Sequence, residues 1–425
     1  MRFFYLIFNF LRLIKAVFYC IWVYLKIKKC LFIYAHLSIF YGNKMNINTN
    51  IKADRKTEIS RIDRWVIKLG SSTVTEQGRG INPETLASWA RQIGELQRAG
   101  KQIILVSSGA VAIGIKTLGW SARPKELPNL QTAAAVGQMQ LASSWQQAFA
   151  RENIAVAQIL LTHDDARDRR RYLNIRATLQ TACNAGIVPV INENDTVSFD
   201  EIRFGDNDNL GAMVANIVSA GGYIILTDQR GLFDKNPREF PDAKFLSQIA
   251  ADDPRLPTMA GKTGGILGSG GMYSKITAAQ KAARSGTHTL IASGVEAEII
   301  KKLTDGEEIG SWLIAPRDAQ TARKQWLGSQ LQISGRLILD DGAVDALINR
   351  NSSLLPIGVK KVEGEFMRGE LLACVDKNGE EIARGLSNYE ACDCRDFAGK
   401  HSAELAELLI HGENLIHRDN LVIVK

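Results

Sequence analysis

The chain has 425 residues, of which 45% are hydrophobic, so it is long enough to bury a core and to form two or three domains. Its net charge of +7 comes entirely from residues 1–44, which hold seven basic residues and no acidic one. Removing those seven from the 52 basic residues leaves 45, equal to the number of acidic residues, which argues against general binding to nucleic-acid phosphates. The six cysteines show no C-x-x-C spacing, which excludes the common zinc and thioredoxin-like motifs.

The first forty residues are rich in aromatic and β-branched side chains but carry no clear structural pattern. Arg12, Lys15 and Lys26 interrupt the apolar runs, which therefore fall short of the roughly 18 residues of a membrane-spanning helix. The small-residue cleavage site of a signal peptide is also missing. We interpret this segment as an extension outside the fold, with Met45 as the true start, and predict a cytoplasmic protein. A membrane anchor whose basic residues reach the interface is the alternative.

From Arg64 onward, short apolar runs alternate with amphipathic segments of helical length, such as the one from Pro83 to Ala99. Near-continuous apolar strands that alternate with helices predict an α/β fold with a mainly parallel sheet between two layers of helices. Ligands of such sheets bind at the carboxyl ends of the strands. The predicted strands contain residues 65–67, 103–106, 155–161, 187–191, 223–226 and 289–292.

A second, mostly β module of about eighty residues begins at Gly335, where strand-like runs become short and turns occur at 367–369 and 377–379. Cys392 and Cys394, two positions apart, would share one face of a strand there. The expected domain boundaries are an N-terminal extension at 1–60, a first domain at 61–318, a linker at 319–334 and the β module at 335–413.

Two strand ends carry candidate anion sites. Lys68 closes the first strand and is followed by Gly70 and two serines, which suits contact with a phosphate, although a solvated lysine is the alternative. The second strand runs into Ser107-Ser108-Gly109 and a small-residue helix start. Its exposed N–H groups would attract an anion, but tight packing of a helix on a sheet also requires small residues.

Two clusters of amide and carboxylate side chains, at residues 192–197 and 204–210, contain more such groups than turns need. An amino-acid substrate requires this lining, because carboxylates bind its ammonium group and amides bind its carboxylate oxygens.

Thr227-Asp228 follows a strand, and six glycines between 261 and 271 precede Met272-Tyr273-Ser274-Lys275. We interpret this glycine-rich loop as a triphosphate cradle rather than a mobile surface loop. It matches neither a Walker A loop nor a dinucleotide fingerprint.

Together, these motifs resemble those of the glutamate 5-kinases, a branch of the amino-acid kinase family, and the module from Gly335 to about Ala406 resembles a PUA domain. The resemblance extends over nearly all of the chain from Trp65 onward. The motifs are Lys68-Leu69-Gly70, Ser107-Ser108-Gly109, Ile191-Asn192-Glu193-Asn194-Asp195, Gly205-Asp206-Asn207-Asp208-Asn209, Leu226-Thr227-Asp228 and Gly270-Gly271-Met272-Tyr273-Ser274-Lys275.

The resemblance implies transfer of the ATP γ-phosphoryl group to the γ-carboxylate of L-glutamate, the first step of proline biosynthesis, with ATP and Mg²⁺ as cofactors. It further implies a homo-oligomer and transfer of the product to a glutamyl-phosphate reductase. Catalysis is assigned to Lys68, Lys275 and Asp208, where Asp208 orients the two lysines, and glutamate binding to Ser108, Asp195 and Asn207. No metal ligand is assigned. The ATP-binding residues would be Lys68, Thr227, Asp228, Ser269, Gly270, Gly271, Met272, Tyr273, Ser274 and Lys275.

Other functions remain open at this point. A related kinase would act on acetylglutamate, aspartate, carbamate or a nucleoside monophosphate. An RNA-binding role of the β module is disfavoured as the main function, because the module has no basic run and few aromatic residues for stacking. A membrane-anchored scaffold would depend on residues 1–40 alone.

Overall fold

The computed structural model describes residues 54–76, 80–197, 207–259, 271–316 and 333–424. Three of the predicted segments therefore lie outside the described residues: the N-terminal extension up to residue 53, the glycine-rich loop up to Gly270, and most of the expected linker. Residues from Arg55 onward group into one compact unit. Helix α1 (Arg55–Ser60), which the sequence places in the extension, belongs to that unit, because its Ile59 is buried and Arg55 donates a hydrogen bond to Ile309 O.

An eight-stranded sheet forms the centre of the larger part of this unit, in the order β3-β4-β2-β1-β5-β9-β10-β8. All neighbouring strands are parallel except β9 and β10, which confirms the predicted α/β fold. Each predicted apolar run coincides with a strand, although the runs at 155–161 and 187–191 begin one residue before theirs. The strands are β1 (Arg64–Leu69), β2 (Gln102–Ser107), β3 (Val156–Leu161), β4 (Val188–Glu193), β5 (Gly222–Thr227), β8 (Gln248–Ala250), β9 (His288–Ser293) and β10 (Ser311–Ile314), with β6 (Leu232–Phe233) and β7 (Phe245–Leu246) in a separate hairpin.

Two of the long helices of this part begin at residues whose side chains satisfy free backbone N–H groups. The side chain of Asn82 accepts hydrogen bonds from Glu84 N and Thr85 N at the start of α3, and Asp168 caps α7 by accepting from Arg171 N. The helices after α1 are α2 (Ser71–Val74), α3 (Pro83–Arg98), α4 (Ala110–Thr117), α5 (Leu127–Ala150), α6 (His163–Arg167), α7 (Arg169–Asn184), α8 (Asn207–Val218), α9 (Leu256–Met259), α10 (Met272–Arg284) and α11 (Ile299–Thr304). None of the helices in the described part of the chain is long and apolar enough to cross a membrane.

Helices α4 and α5 cross at a distance that only glycine permits. A Cβ atom added to Gly114 would lie 1.7 Å from Ala133 O, and one added to Gly137 would lie 1.9 Å from Ala110 O. The two backbones are therefore in direct contact, which fixes the position of α4 and of the strand end that precedes it.

Chain order reverses between β1 and β5. Strands β2, β4 and β3 follow β1 on one side of the sheet, and β5 and β9 follow it on the other. Ligands of open α/β sheets bind outside the carboxyl ends of the strands at such a reversal.

The C-terminal module has a five-stranded sheet in the order β12-β11-β13-β14-β15, which surrounds its own core, including Leu337, Cys374 and Tyr389. Cys392 and Cys394 lie on a helix rather than on a strand, so they do not share one face: the first is exposed and the second is buried. The elements are β11 (Gly335–Leu339), α12 (Asp341–Arg350), β12 (Val359–Glu363), β13 (Leu371–Val375), β14 (Glu381–Leu386), α13 (Ala391–Phe397) and β15 (Leu421–Ile423).

A charged contact joins this module to α7. The Arg176 guanidinium, which is only 4% exposed, lies 3.2 Å from Asp419 Oδ2, and Gln180 donates a weaker hydrogen bond of 3.4 Å to the same oxygen. Arg176 also donates to Ile217 O at 2.5 Å and to Ser219 Oγ at 3.1 Å. The guanidinium therefore caps the C-terminal end of α8 as well as binding the β module.

Candidate active site

Three buried charges of the described chain meet at the carboxyl ends of β1 and β5. Asp208, in the first turn of α8, is 1% exposed, and its Oδ1 lies 2.5 Å from Lys68 Nζ. Its Oδ2 lies 3.2 Å from Lys275 Nζ and accepts a hydrogen bond of 2.7 Å from Ser274 Oγ. The structure thus brings together the three residues that the sequence predicts to be catalytic.

One carboxylate faces two ammonium groups at this place, so the group of three carries a net positive charge. Burial opposes ionisation of Asp208, but the charges of Lys68 and Lys275 outweigh it and lower the pKa of this carboxyl to about 2. Burial lowers the pKa of Lys275, and Asp208 opposes that change. An anion stabilises a buried excess of positive charge, and a phosphate would supply the compensating negative charge here.

The loop after β1 and the start of α10 both face the group formed by Asp208, Lys68 and Lys275. The backbone N–H of Gly70 donates to Leu226 O, which joins the loop after β1 to the end of β5. Lys275 lies in the first turn of α10, whose N-terminal N–H groups follow Gly271. Thr227 closes β5, and its hydroxyl donates to Asp228 Oδ1 at 3.0 Å. Asp228 is half-exposed, and its negative charge opposes in part the lowering of the Lys275 pKa by burial.

Apart from Lys68 at the end of β1, the predicted ATP-binding residues divide into two groups. Thr227, Asp228, Gly271, Met272, Tyr273, Ser274 and Lys275 lie at the ends of β5 and α10, where Tyr273 is 53% exposed. Ser269 and Gly270 lie outside the described residues, so the predicted triphosphate cradle is described only from Gly271 onward.

A small cleft of about 90 Å³ adjoins the charged group on the β2 side. The three predicted substrate-binding residues, Ser108, Asp195 and Asn207, all line it. The N-terminal residues of α4 form one wall, and Gly109 at their head has a φ of 113°, a left-handed conformation that favours glycine. The other lining residues are Ser71, Ala110, Val111, Ala112, Arg123, Asn192 and Glu193.

Two residues near this cleft, Arg123 and Gln138, were not identified as site residues from the sequence. Arg123 is the only basic residue among the described lining residues, and it lies in the connection between α4 and α5, where no recognisable pattern surrounds it. Gln138 lies in the middle of α5 and accepts a hydrogen bond of 2.7 Å from Asn192 Nδ2. A glutamine in the interior of a long helix gives no signal of its own before the tertiary contacts are known.

The model of the amino acid kinase family matches residues 63–293, and the model of the PUA domain matches residues 335–409. The glutamate 5-kinase of Ralstonia nicotianae is 54% identical over 363 residues, which cover 85% of this chain and 97% of that protein. The chain belongs to the amino acid kinase family, among its glutamate 5-kinases.

A more distant glutamate 5-kinase, that of Pseudomonas syringae pv. tomato, is 51% identical over 372 residues, which cover 87% of this chain and all of that protein. A solved isopentenyl phosphate kinase from T. acidophilum has a TM-score of 0.41 and 18% identity, and covers 59% of this chain and 99% of that chain. Membership of the amino acid kinase family makes this protein a phosphotransferase with a C-terminal PUA domain, as predicted, and implies that it uses ATP.

Proposed function

We propose that this protein transfers the γ-phosphoryl group of ATP to the γ-carboxylate of L-glutamate, which forms L-glutamyl 5-phosphate for the first step of proline biosynthesis. The observation that carries the proposal is the position of Asp208 and its two lysines beside a cleft lined by Ser108, Asp195 and Asn207. Because Asn207 and Asp208 are consecutive residues, the acceptor site and the phosphoryl site share the first turn of α8.

The two lysines would neutralise the transferring group. A carboxylate nucleophile is ionised at neutral pH, so attack on the γ-phosphorus needs no general base. The difficulty is to bring an anion against a polyanionic nucleotide. Lys68 and Lys275, already held by Asp208, would bind the phosphate oxygens and stabilise the charge of the transition state without reorganisation. The bond between the γ-phosphorus and its bridging oxygen breaks as the new bond to the glutamate oxygen forms, and ADP leaves.

The cleft fits an α-amino acid. Asp195 and the acceptor atom of Asn207 would bind the ammonium group, while the Ser108 hydroxyl and the N–H groups at the head of α4 would bind a carboxylate. The distal carboxylate would then point from the cleft toward the lysines. This arrangement places the reacting groups side by side, which is the main contribution an enzyme makes to such a reaction.

The donor set near the lysines also suits ATP with Mg²⁺. The oxygens of Asp208 already contact Lys68, Lys275 and Ser274, so this carboxylate is not a free metal ligand. Mg²⁺ would therefore be held chiefly by the phosphates and water, and the half-exposed Asp228 could add a ligand from the protein. The bound ion would supply further neutralisation of phosphate charge.

We further propose a homo-oligomer formed through the kinase domain. The 24-residue helix α5 contains no charged residue, and its Met139 is 78% exposed. An uncharged helix face suits contact with a second copy, because like charges would otherwise meet across a twofold axis. The acyl phosphate product is reactive toward water, so rapid use by a glutamyl-phosphate reductase is the expected next step.

The test is ADP release by the full chain with ATP, Mg²⁺ and a panel of acceptors: glutamate, aspartate, acetylglutamate and uridine monophosphate. Hydroxylamine present in the assay traps an acyl phosphate as a hydroxamate. Glutamate-dependent ADP release with hydroxamate formation supports the proposal. Turnover of another acceptor but not of glutamate contradicts the assigned substrate, and the same assay on a chain that starts at Met45 shows whether residues 1–44 contribute.

A further inference from the structure

Three side-chain amides form a row from α5 to the substrate cleft, and we propose that Gln138, the first of them, is a positioning residue that determines which atom of Asn207 faces the substrate. The inference rests on the proposed function, because it concerns how the glutamate ammonium group is recognised. Gln138 itself does not line the cleft, so it would act through its neighbours.

The row consists of two short hydrogen bonds, and both of its asparagines are buried, whereas Gln138 is half-buried. Asn192 Nδ2 donates to Gln138 Oε1 at 2.7 Å, and Asn207 Nδ2 donates to Asn192 Oδ1 at 2.8 Å. Asn192 is 3% exposed and Asn207 is 7% exposed, so water competes little for the bond between them. Three elements distant in sequence, α5, β4 and α8, meet in this row.

A backbone carbonyl fixes the direction of the row. A chain of amides could in principle run either way, because each amide both donates and accepts. Asn207 Nδ2 also faces the carbonyl oxygen of Ser107, at 3.5 Å, and a carbonyl oxygen can only accept. At the other end, Gln138 presents Oε1 to Asn192 Nδ2, which continues the orientation that the Ser107 carbonyl sets.

With the amides in this orientation, Asn207 has an acceptor atom left for the substrate. Asn207 uses its nitrogen for both bonds, so Oδ1 is the atom that it offers to a ligand in the cleft that it lines. An acceptor next to Asp195 suits an ammonium group. If the amide of Asn207 turned over, its nitrogen would face that ammonium group and the hydrogen bond would be replaced by repulsion.

Contacts of helix α5 with neighbouring elements fix the position of the row of amides. Its Trp145 donates to Ser107 Oγ at 2.9 Å, and its Gln131 donates to Thr196 O at 3.1 Å. The same helix thus contacts the end of β2, the end of β4 and the turn that carries Asp195. Its position is fixed in turn by the contact of Gly137 with α4.

The test compares recognition of glutamate with recognition of glutarate, which has the same two carboxylates but no ammonium group. Gln138→Met in the full chain keeps the size of the side chain but removes the strong acceptor, whereas Gln138→Glu keeps the acceptor. KM for glutamate, kcat, and the inhibition constant of glutarate against glutamate are measured for both variants. Gln147→Met is the matched control, because Gln147 lies on the same helix, is exposed, and donates to Ser143 on that helix.

We expect Gln138→Met to raise KM for glutamate by about five- to tenfold, the effect of one lost hydrogen bond, with kcat changed less and the glutarate constant unchanged. Gln138→Glu should restore most of the affinity, and Gln147→Met should resemble the wild-type protein. Equal loss of glutamate and glutarate binding would show a packing defect and overturn the proposal, as would an unchanged KM or a failure of Gln138→Glu to restore it. A wild-type protein that does not phosphorylate glutamate would contradict the proposed function as well.

Discussion

Asp208 Oδ2 lies 3.2 Å from Lys275 Nζ, although the two residues begin different helices and are 67 positions apart. The other oxygen of the same carboxylate holds Lys68. A single buried carboxylate therefore sets the spacing of two ammonium groups, which would otherwise repel each other. This relationship makes both lysines part of one preorganised unit, and the first two predictions follow from it.

Replacement of Lys275 by alanine should lower kcat by about a hundredfold or more, because a preorganised charge at the transferring phosphoryl group is lost. KM for glutamate should change much less, because the acceptor cleft is lined by other residues. Steady-state kinetics with hydroxamate detection measures both constants. Lys281→Ala is the control, because Lys281 lies on the exposed side of the same helix. A Lys275→Ala protein with wild-type kcat would exclude this lysine from the phosphoryl transfer.

Replacement of Asp208 by asparagine should lower kcat by at least about a hundredfold and change the response of stability to acid. The lysines lower the pKa of Asp208 to about 2, so this ionised carboxylate contributes stability that is complete above its unfolded pKa near 3.8. That contribution is lost as the pH falls toward 2. The difference in free energy of unfolding between wild type and variant should therefore narrow below about pH 4.

Urea unfolding of both proteins across that pH range measures the difference. Asp396→Asn serves as the control, since Asp396 is exposed on the C-terminal module. A wild-type-to-variant difference that stays constant as the pH is lowered would contradict the assigned linkage between Asp208 and the lysines.

The sequence predicts the layered fold well because six of the eight strands of the large sheet, β1–β5 and β9, are local apolar runs, whereas β8 and β10 were not predicted. Strands β4 and β5 are buried on both faces, so their near-continuous apolar sequences can be recognised without knowledge of the neighbouring strands. The helical position of Cys392 and Cys394 was missed for the opposite reason, since seven residues with one buried cysteine carry too short a pattern to separate a helix from a strand.

The active site likewise contains some residues that the sequence locates and others that it does not. Its lysines and carboxylates stand at strand ends that the pattern locates, and the resemblance to a known family then grouped them. The row that begins at Gln138, and the contact between Arg176 and Asp419, depend on packing between elements far apart in the chain. No local pattern encodes such pairs, so they required the structure.

Replacement of Gly114 by alanine should destabilise the protein by about 1–3 kcal/mol, since its Cβ would overlap Ala133 O and the two helices would have to separate. Because α4 begins at the substrate cleft, KM for glutamate should also rise. Thermal unfolding and steady-state kinetics measure the two effects. Gly342→Ala in α12 is the control: its added Cβ meets no atom closer than 3.4 Å, so stability should be unchanged or slightly higher. Equal stability of the two variants would show that the helix crossing tolerates separation.

Replacement of Asp419 by alanine should destabilise the protein by about 1–2 kcal/mol, because it leaves the guanidinium of Arg176 buried without its carboxylate. The loss is smaller than for a fully buried ion pair, since the Asp419 side chain is 37% exposed and Arg176 keeps its bonds to Ile217 and Ser219.

A double-mutant cycle with Arg176→Met isolates this contact between the C-terminal module and α7. In the Arg176→Met background the buried guanidinium is gone, so Asp419→Ala should then have a much smaller effect on urea unfolding. Asp396→Ala should be neutral in both backgrounds, because Asp396 is exposed. If Asp419→Ala destabilised both backgrounds equally, the ion pair would carry no coupling energy. The module would then be held to α7 by its other contacts, such as the hydrogen bond from Arg368 to Asn174.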